Sequence, residues 1–339
     1  MPHLPQVSRE VRLAVATGGL PEPDHFVVAE VPVPAPGEGQ VLVRNRFFHV
    51  FAALRTLIGG SVRDAPFPPL RPGDTLFGAA VGEVVSAPAD SGVRPGDLVS
   101  HWLGWREYAV VPEGGFTPLG DALPDPAAHL SQGGLAYTAL TRDAEVRPGD
   151  TVLVTGAAGA VGSLAGQIAR LLGAGRVIGS TGSAEKAGRL VSELGYDAAV
   201  VRGGEPIGEQ LAKAAPDGID VLLDNVGGEQ LQAAVAAARP GARFVLVGAL
   251  SGQMAPEGTG GTAPVELDTY RLILRRLSIR AFQGADERTR SQWAGLFGGW
   301  LRSGAITFPH VRVTGIENAP RALYDTMRGR HFGTVIVEL

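Results

Sequence analysis

The run Thr155-Gly156-Ala157-Ala158-Gly159-Ala160-Val161-Gly162-Ser163 carries the clearest chemistry in this chain. Residues this small let a bulky anion approach the backbone. If a helix begins where the run ends, the free N–H groups of its first turn add donors and a partial positive charge, which is what a diphosphate needs. The glycines are spaced GxxGxxG rather than GxGxxG. No Gly-Lys-Ser/Thr follows, so this is not the Walker-type loop of nucleoside triphosphate enzymes. By itself the run also fits a tight strand–helix turn with no ligand, and only its neighbours decide between the two.

A second stretch refines the ligand. Gly179-Ser180-Thr181-Gly182-Ser183 contains no acid until Glu185, and Lys186 follows at once. Folds that bind NAD usually place Asp or Glu here to bond the ribose 2′-hydroxyl. An acid repels a 2′-phosphate, whereas small hydroxyls and a cation welcome one, so these residues point to NADP(H) over NAD(H). Lys186 and Lys213 are the only lysines among 30 basic residues. The rest are arginines in a chain rich in Ala, Gly and Pro, so arginine enrichment alone carries no signal. The competing reading of Lys186 is a solvated lysine on a helix surface.

Both stretches need elements to hold them. Thr151-Val152-Leu153-Val154 fits a buried parallel strand, and residues 161–172 place Val161, Leu164, Ile168 and Leu171/Leu172 on one helical face. A strand at Arg176–Gly179, a helix at 184–194 and a strand at Ala198–Val201 follow. Then come a helix around 206–215, a strand at Ile219–Leu223, a helix near 229–238 and a strand at Phe244–Val247. This alternation implies an α/β doubly wound parallel sheet with helices on both faces. Residues 1 to about 125 are instead β-rich, with short runs such as Val41-Leu42-Val43 between Pro/Gly turns. The tail returns to that character in Thr334-Val335-Ile336-Val337-Glu338. It therefore reads as completing the first domain, with 1–126 and 298–339 outside and 127–297 as an inserted nucleotide domain. The Gly-, Pro- and Thr-rich stretch 252–264 reads as a mobile loop.

A length of 339 residues suits two domains of roughly 100–200 residues each, and 45% hydrophobic residues supply their cores. The net charge of −4 argues against a broad nucleic-acid surface. The absence of cysteine removes disulfides, thiolate catalysis and cysteine-held zinc, and the seven histidines lack metal-site spacing, so no metal is expected. No apolar run approaches the roughly 18 residues of a membrane span. The start, Met1-Pro2-His3-Leu4-Pro5, lacks the basic and apolar parts of a secretory signal. The expectation is a cytoplasmic protein acting on a small molecule, with no nucleic-acid or membrane partner.

Ala157–Ser163, Gln167-Ile168-Ala169, Glu185-Lys186, Pro216–Asp220, Asp224-Asn225-Val226-Gly227-Gly228 and Val247-Gly248-Ala249-Leu250-Ser251 stand in a telling order and spacing. Together they resemble the zinc-independent medium-chain dehydrogenase/reductase superfamily. Within it they are most similar to the NADPH-dependent alkenal/one, leukotriene B4 dehydrogenase and prostaglandin reductase branch. The resemblance implies a Rossmann domain inserted in a GroES-like β-rich domain. It implies that Gly159, Ala160, Val161 and Gly162 line the pyrophosphate. Lys186 would meet the 2′-phosphate, with Arg202 in place of a family tyrosine. Asn225 and Val247-Gly248-Ala249 would follow the ribose and nicotinamide, and Phe282 and His331 (where the family has asparagine) would close over the nicotinamide. A homodimer is implied as well.

Zinc dehydrogenases of this superfamily use a Cys, a Gly-His-Glu segment and a four-Cys lobe. Here the corresponding stretch reads Phe77-Gly78-Ala79-Ala80-Val81-Gly82-Glu83. Without a Lewis acid a simple alcohol or ketone is harder to polarise. An activated C=C needs only hydride at its β-carbon and a later proton for the enolate. The implied activity is therefore NADPH-dependent reduction of enone or enal double bonds, and the altered cleft described next points to a specialised biosynthetic substrate.

The sequence departs from the branch where substrate would sit. Asn45-Arg46-Phe47-Phe48-His49-Val50-Phe51-Ala52-Ala53 replaces the family's Asn-Leu-Tyr-Leu-Ser-Val-Asp-Pro-Tyr. Gln253 replaces a tyrosine, and Leu135 stands at a threonine place before Ala136-Tyr137. Two tyrosine hydroxyls and an aspartate are lost. His49, an imidazole with an ordinary pKa of roughly 6.5, is the candidate replacement proton donor, and Tyr137 is a second. Either also fits ordinary packing. Phe47, Phe48, Phe51, Trp102 and Trp105 suggest an aromatic cleft wall for a planar substrate. A quinone or carbonyl reductase of the same superfamily, and an NADPH-binding sensor without turnover, remain open.

Overall fold

The structure, a computed structural model, describes residues 4–59, 67–257 and 260–339. Met1–His3, and residues 258 and 259 of the stretch expected to be a mobile loop, lie outside them.

Valine-rich alternation builds the outer domain. β1 (Val7–Leu13) and β2 (Phe26–Pro32) form an antiparallel pair. The long β3 (Gln40–Val50) leads into a short helix, α1 (Leu54–Ile58). β4 (Ala80–Ser86), β5 (Leu98–His101), β6 (Tyr108–Pro112) and β7 (Phe116–Pro118) follow. The Arg-Pro-Gly-Asp turns at 71–74, 94–97 and 147–150 share one device. In each, the aspartate carboxylate accepts the amide of the arginine, at 2.8, 2.8 and 2.7 Å. The intervening Gly73, Gly96 and Gly149 take φ of 95°, 94° and 85°, a region costly for any residue with a Cβ.

The nucleotide domain opens with α2 (Gly133–Thr138) and then alternates. Its strands are β8 (Thr151–Val154), β9 (Arg176–Thr181), β10 (Ala198–Val201), β11 (Ile219–Asp224), β12 (Ala238–Leu246) and β13 (Ser278–Ala281). Its helices are α3 (Gly162–Leu171), α4 (Ala184–Leu194), α5 (Ile207–Ala214), α6 (Gly228–Ala237), α7 (Leu250–Gln253), α8 (Thr269–Arg275) and α9 (Glu287–Ser303). All six strands are parallel, in the order β10-β9-β8-β11-β12-β13. Chain direction across the sheet reverses between β8 and β11, and ligands of such sheets bind at the carboxyl ends of strands at that switch point. Leu164, Ile168, Val221, Val245 and Phe297 pack one face of the sheet, and Leu153, Ile178, Leu211, Leu222 and Phe244 the other.

The chain then returns to the outer sheet through β14 (His310–Thr314), α10 (Ala319–Met327) and β15 (Thr334–Glu338). β15 runs antiparallel to β3, with Val335 opposite Val50 and Glu338 opposite Phe47, and β14 lies parallel to β15. The outer sheet thus reads β14-β15-β3-β4-β5-β7, with β6 pairing β3. Two expected positions shift. The strand expected at Phe244–Val247 begins earlier, at Ala238. The expected crossing at 297/298 falls inside α9, whose Phe297 lies in the nucleotide-domain core.

Candidate active site

β8 ends at Val154, and the glycine run turns the chain straight into α3. Gly156 takes φ +60°, and a Cβ on Gly162 would lie 2.5 Å from the Ala157 Cα and the Gly156 carbonyl oxygen, so only glycine fits there. Tyr196 fixes the helix start by donating its hydroxyl to the Gly162 carbonyl at 2.6 Å. The amides of Ala160, Val161 and Gly162 have no protein acceptor among the described residues. They leave a side-chain-free row of donors at a helix N-terminus, as a diphosphate requires. Gly159 adds no Cβ to the cradle and pairs across the domains with Gly333, whose amide donates to the Ala158 carbonyl at 2.8 Å.

At the end of β9, Ser183 caps α4 by accepting the Lys186 amide at 3.3 Å. The Lys186 ammonium, half-buried, donates to the main-chain carbonyls of Gly329 and His331, the latter at 2.5 Å. Burial lowers its pKa from the ordinary value, Glu185 opposes that and Arg189 adds to it. A groove of about 520 Å³ along α4 is lined by Lys186, Arg189, Arg330 and His331 among others. Arg202, just past β10, is exposed, and its guanidinium lies over Gly182, 3.9 Å from where a Cβ there would sit. It forms no ion pair among the described residues. Lys186 and Arg202 therefore flank one short loop, Thr181–Ser183, that carries hydroxyls and no acid.

At the switch point Asn225 is buried, and its side-chain amide donates to the Thr155 carbonyl at 2.7 Å. The Thr155 hydroxyl donates to the buried Asp224 carboxylate at 2.5 Å and accepts the Asn225 amide at 2.8 Å. Asp224 also accepts the amides of Val226 and Gly227, each at 3.0 Å. The Ser180 hydroxyl accepts the Gly156 amide at 3.0 Å and donates to Gln230 at 2.5 Å. These ties pre-set the loops after β8, β9 and β11. Val247 and Gly248 donate to the Asp224 carbonyl at 2.8 and 3.0 Å, which brings Val247-Gly248-Ala249 beside Asn225. Phe282 follows β13, its amide bonded to the Leu246 carbonyl at 2.9 Å. His331, half-buried, has its Nε2 sealed from solvent without a partner. The cofactor residues read from the sequence thus gather along one edge of the sheet. The pairings of Thr155 with Asp224 and of Ser180 with Gln230 were not read from the sequence, because they span 69 and 50 positions that no local motif records.

The outer domain faces this edge through the end of β3. Gly333, bonded to the glycine run, stands two residues before Val335, which lies opposite Val50. His49 lies opposite Ile336 on β15, three residues beyond Gly333. The expectation that its ring titrates near 6.5 does not hold, because burial pushes it down to about 4 and it is neutral at pH 7. Its Nδ1 meets the Gln132 side-chain nitrogen at 3.5 Å. Tyr137 instead turns into an aromatic cluster with Trp293 and Trp300, at 5.8 and 6.0 Å between rings. The aromatic wall also needs correction. Phe48 and Trp105 are wholly buried, their rings 5.1 Å apart, and Phe47 is nearly so. The aromatics nearer the surface are Phe51, Phe67, Phe77 and the 52%-exposed Trp102, with Phe67 at 5.2 Å from both Phe77 and Trp102.

Residues 160–297 match the family described as zinc-binding dehydrogenase, and residues 9–119 that described as N-terminal domain of oxidoreductase. The NADPH-dependent curcumin reductase of Escherichia coli is 31% identical, covering 98% of this chain and 97% of that protein. Prostaglandin reductase 1 of Mus musculus is 30% identical, covering 94% of this chain and 95% of that protein. The crystal structure of CurA from Vibrio vulnificus in complex with NADPH superposes with a TM-score of 0.86 at 29% identity, covering 97% and 98% of the two chains. The zinc of the first family's name does not fit here: the chain has no cysteine. Among the described residues no group of three or more His, Asp or Glu is arranged to hold a metal. The glycine cradle and its flanking cations do fit NADP(H). This chain belongs to the medium-chain dehydrogenase/reductase superfamily, as an NADP-dependent oxidoreductase.

Proposed function

We propose that the protein reduces carbon–carbon double bonds conjugated to a carbonyl, in enones or enals. NADPH, when bound, supplies hydride to the β-carbon, and a proton then completes the product. The cradle amides of Ala160–Gly162 hold the diphosphate, and Lys186 and Arg202 select the 2′-phosphate. Asn225, Val247-Gly248-Ala249, Phe282 and His331 confine the nicotinamide end. His49 faces the substrate carbonyl as a neutral N–H donor, stabilising oxyanion charge rather than delivering an imidazolium proton. The exposed face of Trp102, backed by Phe67 and Phe77, receives the flat remainder of the substrate.

What supports this reading is the match of this chain to curcumin and prostaglandin reductases over nearly its full length, together with a buried His49 whose polar neighbour is Gln132. Incubation with NADPH and a panel of enones, enals, quinones and ketones tests it. A saturated ketone or aldehyde is the expected product. An alcohol or hydroquinone makes it a carbonyl or quinone reductase, and NADPH binding without turnover makes it a sensor.

We also infer a homodimer. Among the described residues β13 pairs on one side only, and beside it α8 exposes Tyr270, Ile273 and Leu274 at 69%, 70% and 62%. A free strand edge next to such a patch suits two-fold pairing with a second copy. Light scattering should show a dimer that Ile273→Glu converts to monomer; a monomeric parent protein would refute it.

A further inference from the structure

We propose that Gln132 is a positioning residue for the reduction proposed above: its side-chain amide holds the His49 ring in the Nε2–H tautomer, so that an N–H rather than a lone pair is offered to the substrate. The inference rests on that reading of the site. Gln132 immediately precedes α2, and its side chain crosses to β3, 83 positions away in sequence. Its nitrogen lies 3.2 Å from the Leu130 carbonyl, which can only accept, and this settles which end of the amide is NH₂. The same nitrogen lies 3.5 Å from His49 Nδ1. An amide N–H can only donate, so a hydrogen bond across this gap has Nδ1 accepting and the ring proton on Nε2.

No other group contests this assignment. Nε2 of His49 meets no protein partner among the described residues, yet it is not sealed in as the Nε2 of His101 is. The Phe51 ring stands 5.9 Å from the imidazole and offers no proton acceptor of comparable strength. Burial keeps the ring uncharged, so its value as a donor depends wholly on which nitrogen bears the hydrogen. In the opposite tautomer a lone pair would face the developing enolate oxygen and repel it. His49 stands where the related reductases carry a serine hydroxyl, and Gln132 is what lets an imidazole serve as a donor there.

The test uses full-length protein labelled with ¹⁵N-histidine, the His49 signals being assigned by their loss in His49→Gln. At pH 7.5 the ring shifts should report Nε2–H in the parent protein. Gln132→Glu, which places a proton acceptor beside Nδ1, should move the hydrogen to Nδ1. Gln132→Leu should leave a mixture. In parallel, kcat for an enone should fall roughly 100-fold in Gln132→Glu, with KM for NADPH unchanged. Nδ1–H in the parent protein, or no shift in Gln132→Glu, overturns the proposal. A displaced proton with undiminished kcat overturns its catalytic use. If the parent turns over no enone, the functional reading fails instead, and the tautomer measurement shows this separately.

Discussion

Lys186 spends its positive charge on two main-chain carbonyls of the loop before β15, and its amide bonds to Ser183 of the acid-free loop after β9. An ammonium so placed can add charge-assisted hydrogen bonds to a 2′-phosphate, each worth roughly 1.5–3 kcal/mol. Lys186→Ala should therefore weaken NADPH binding roughly 10–100-fold while changing NADH binding little. Isothermal calorimetry with both cofactors checks this, and parallel losses would show that the lysine does not read the phosphate. At this scale the sequence was informative where a residue's role is local. The glycine run and Asn225 follow immediately on β8 and β11, and Lys186 lies in the first turn of α4. The burial of His49 was not legible, since it comes from residues on other elements. Gln132 carried no signal at all; its partner is fixed only by how the stretch just before α2 meets β3.

Among the elements, α3 depends most on one atom's absence. Gly162 touches the backbone of Ala157 and Gly156, and no flexible side chain there can yield. Gly162→Ala should push the helix start off β8, cost about 1–3 kcal/mol of stability and spoil the donor row. Denaturant titration together with NADPH fluorescence should show both losses; retention of full affinity would mean that the cradle tolerates a methyl group. The helices expected at 184–194, 206–215 and 229–238 appear at 184–194, 207–214 and 228–237, because apolar periodicity and caps are local properties. Ser183 starts α4, and Gly195, at φ +69°, ends it. The extended start of β12 was missed. Ala238-Arg239-Pro240-Gly241 reads as a turn, and only pairing of Ala238 with Ile219 draws it into the sheet.

For the whole molecule, buried imidazoles make stability fall on the acid side. Burial pushes His49 and His101 each down to about 4, and Arg106 adds to the effect at His101. Between roughly pH 6.5 and 4 the unfolded chain binds protons at these rings and the folded chain does not, so stability declines as pH falls through that window. Each ring contributes a loss of up to about 3 kcal/mol. Urea unfolding at pH 7.5 and 4.5 should show the decline, and His101→Gln should make it shallower; an unchanged slope would mean that the ring is protonated in the native state.

The nesting of one domain inside the other also sets a timetable. Val50 of β3 and Thr334, where β15 begins, are separated by the whole inserted domain. At roughly 5–20 residues per second, a ribosome needs on the order of 15–60 s to cover that distance. For all that time the Phe47–Val50 edge of β3 that β15 will cover has no permanent neighbour, and the nascent N-terminal half is a natural client for chaperones. β15, emerging after the inserted domain, closes the outer sheet, and Gly333 just before it ties in the nucleotide loop. A chain cut short by even its last strand should consequently reach neither finished domain.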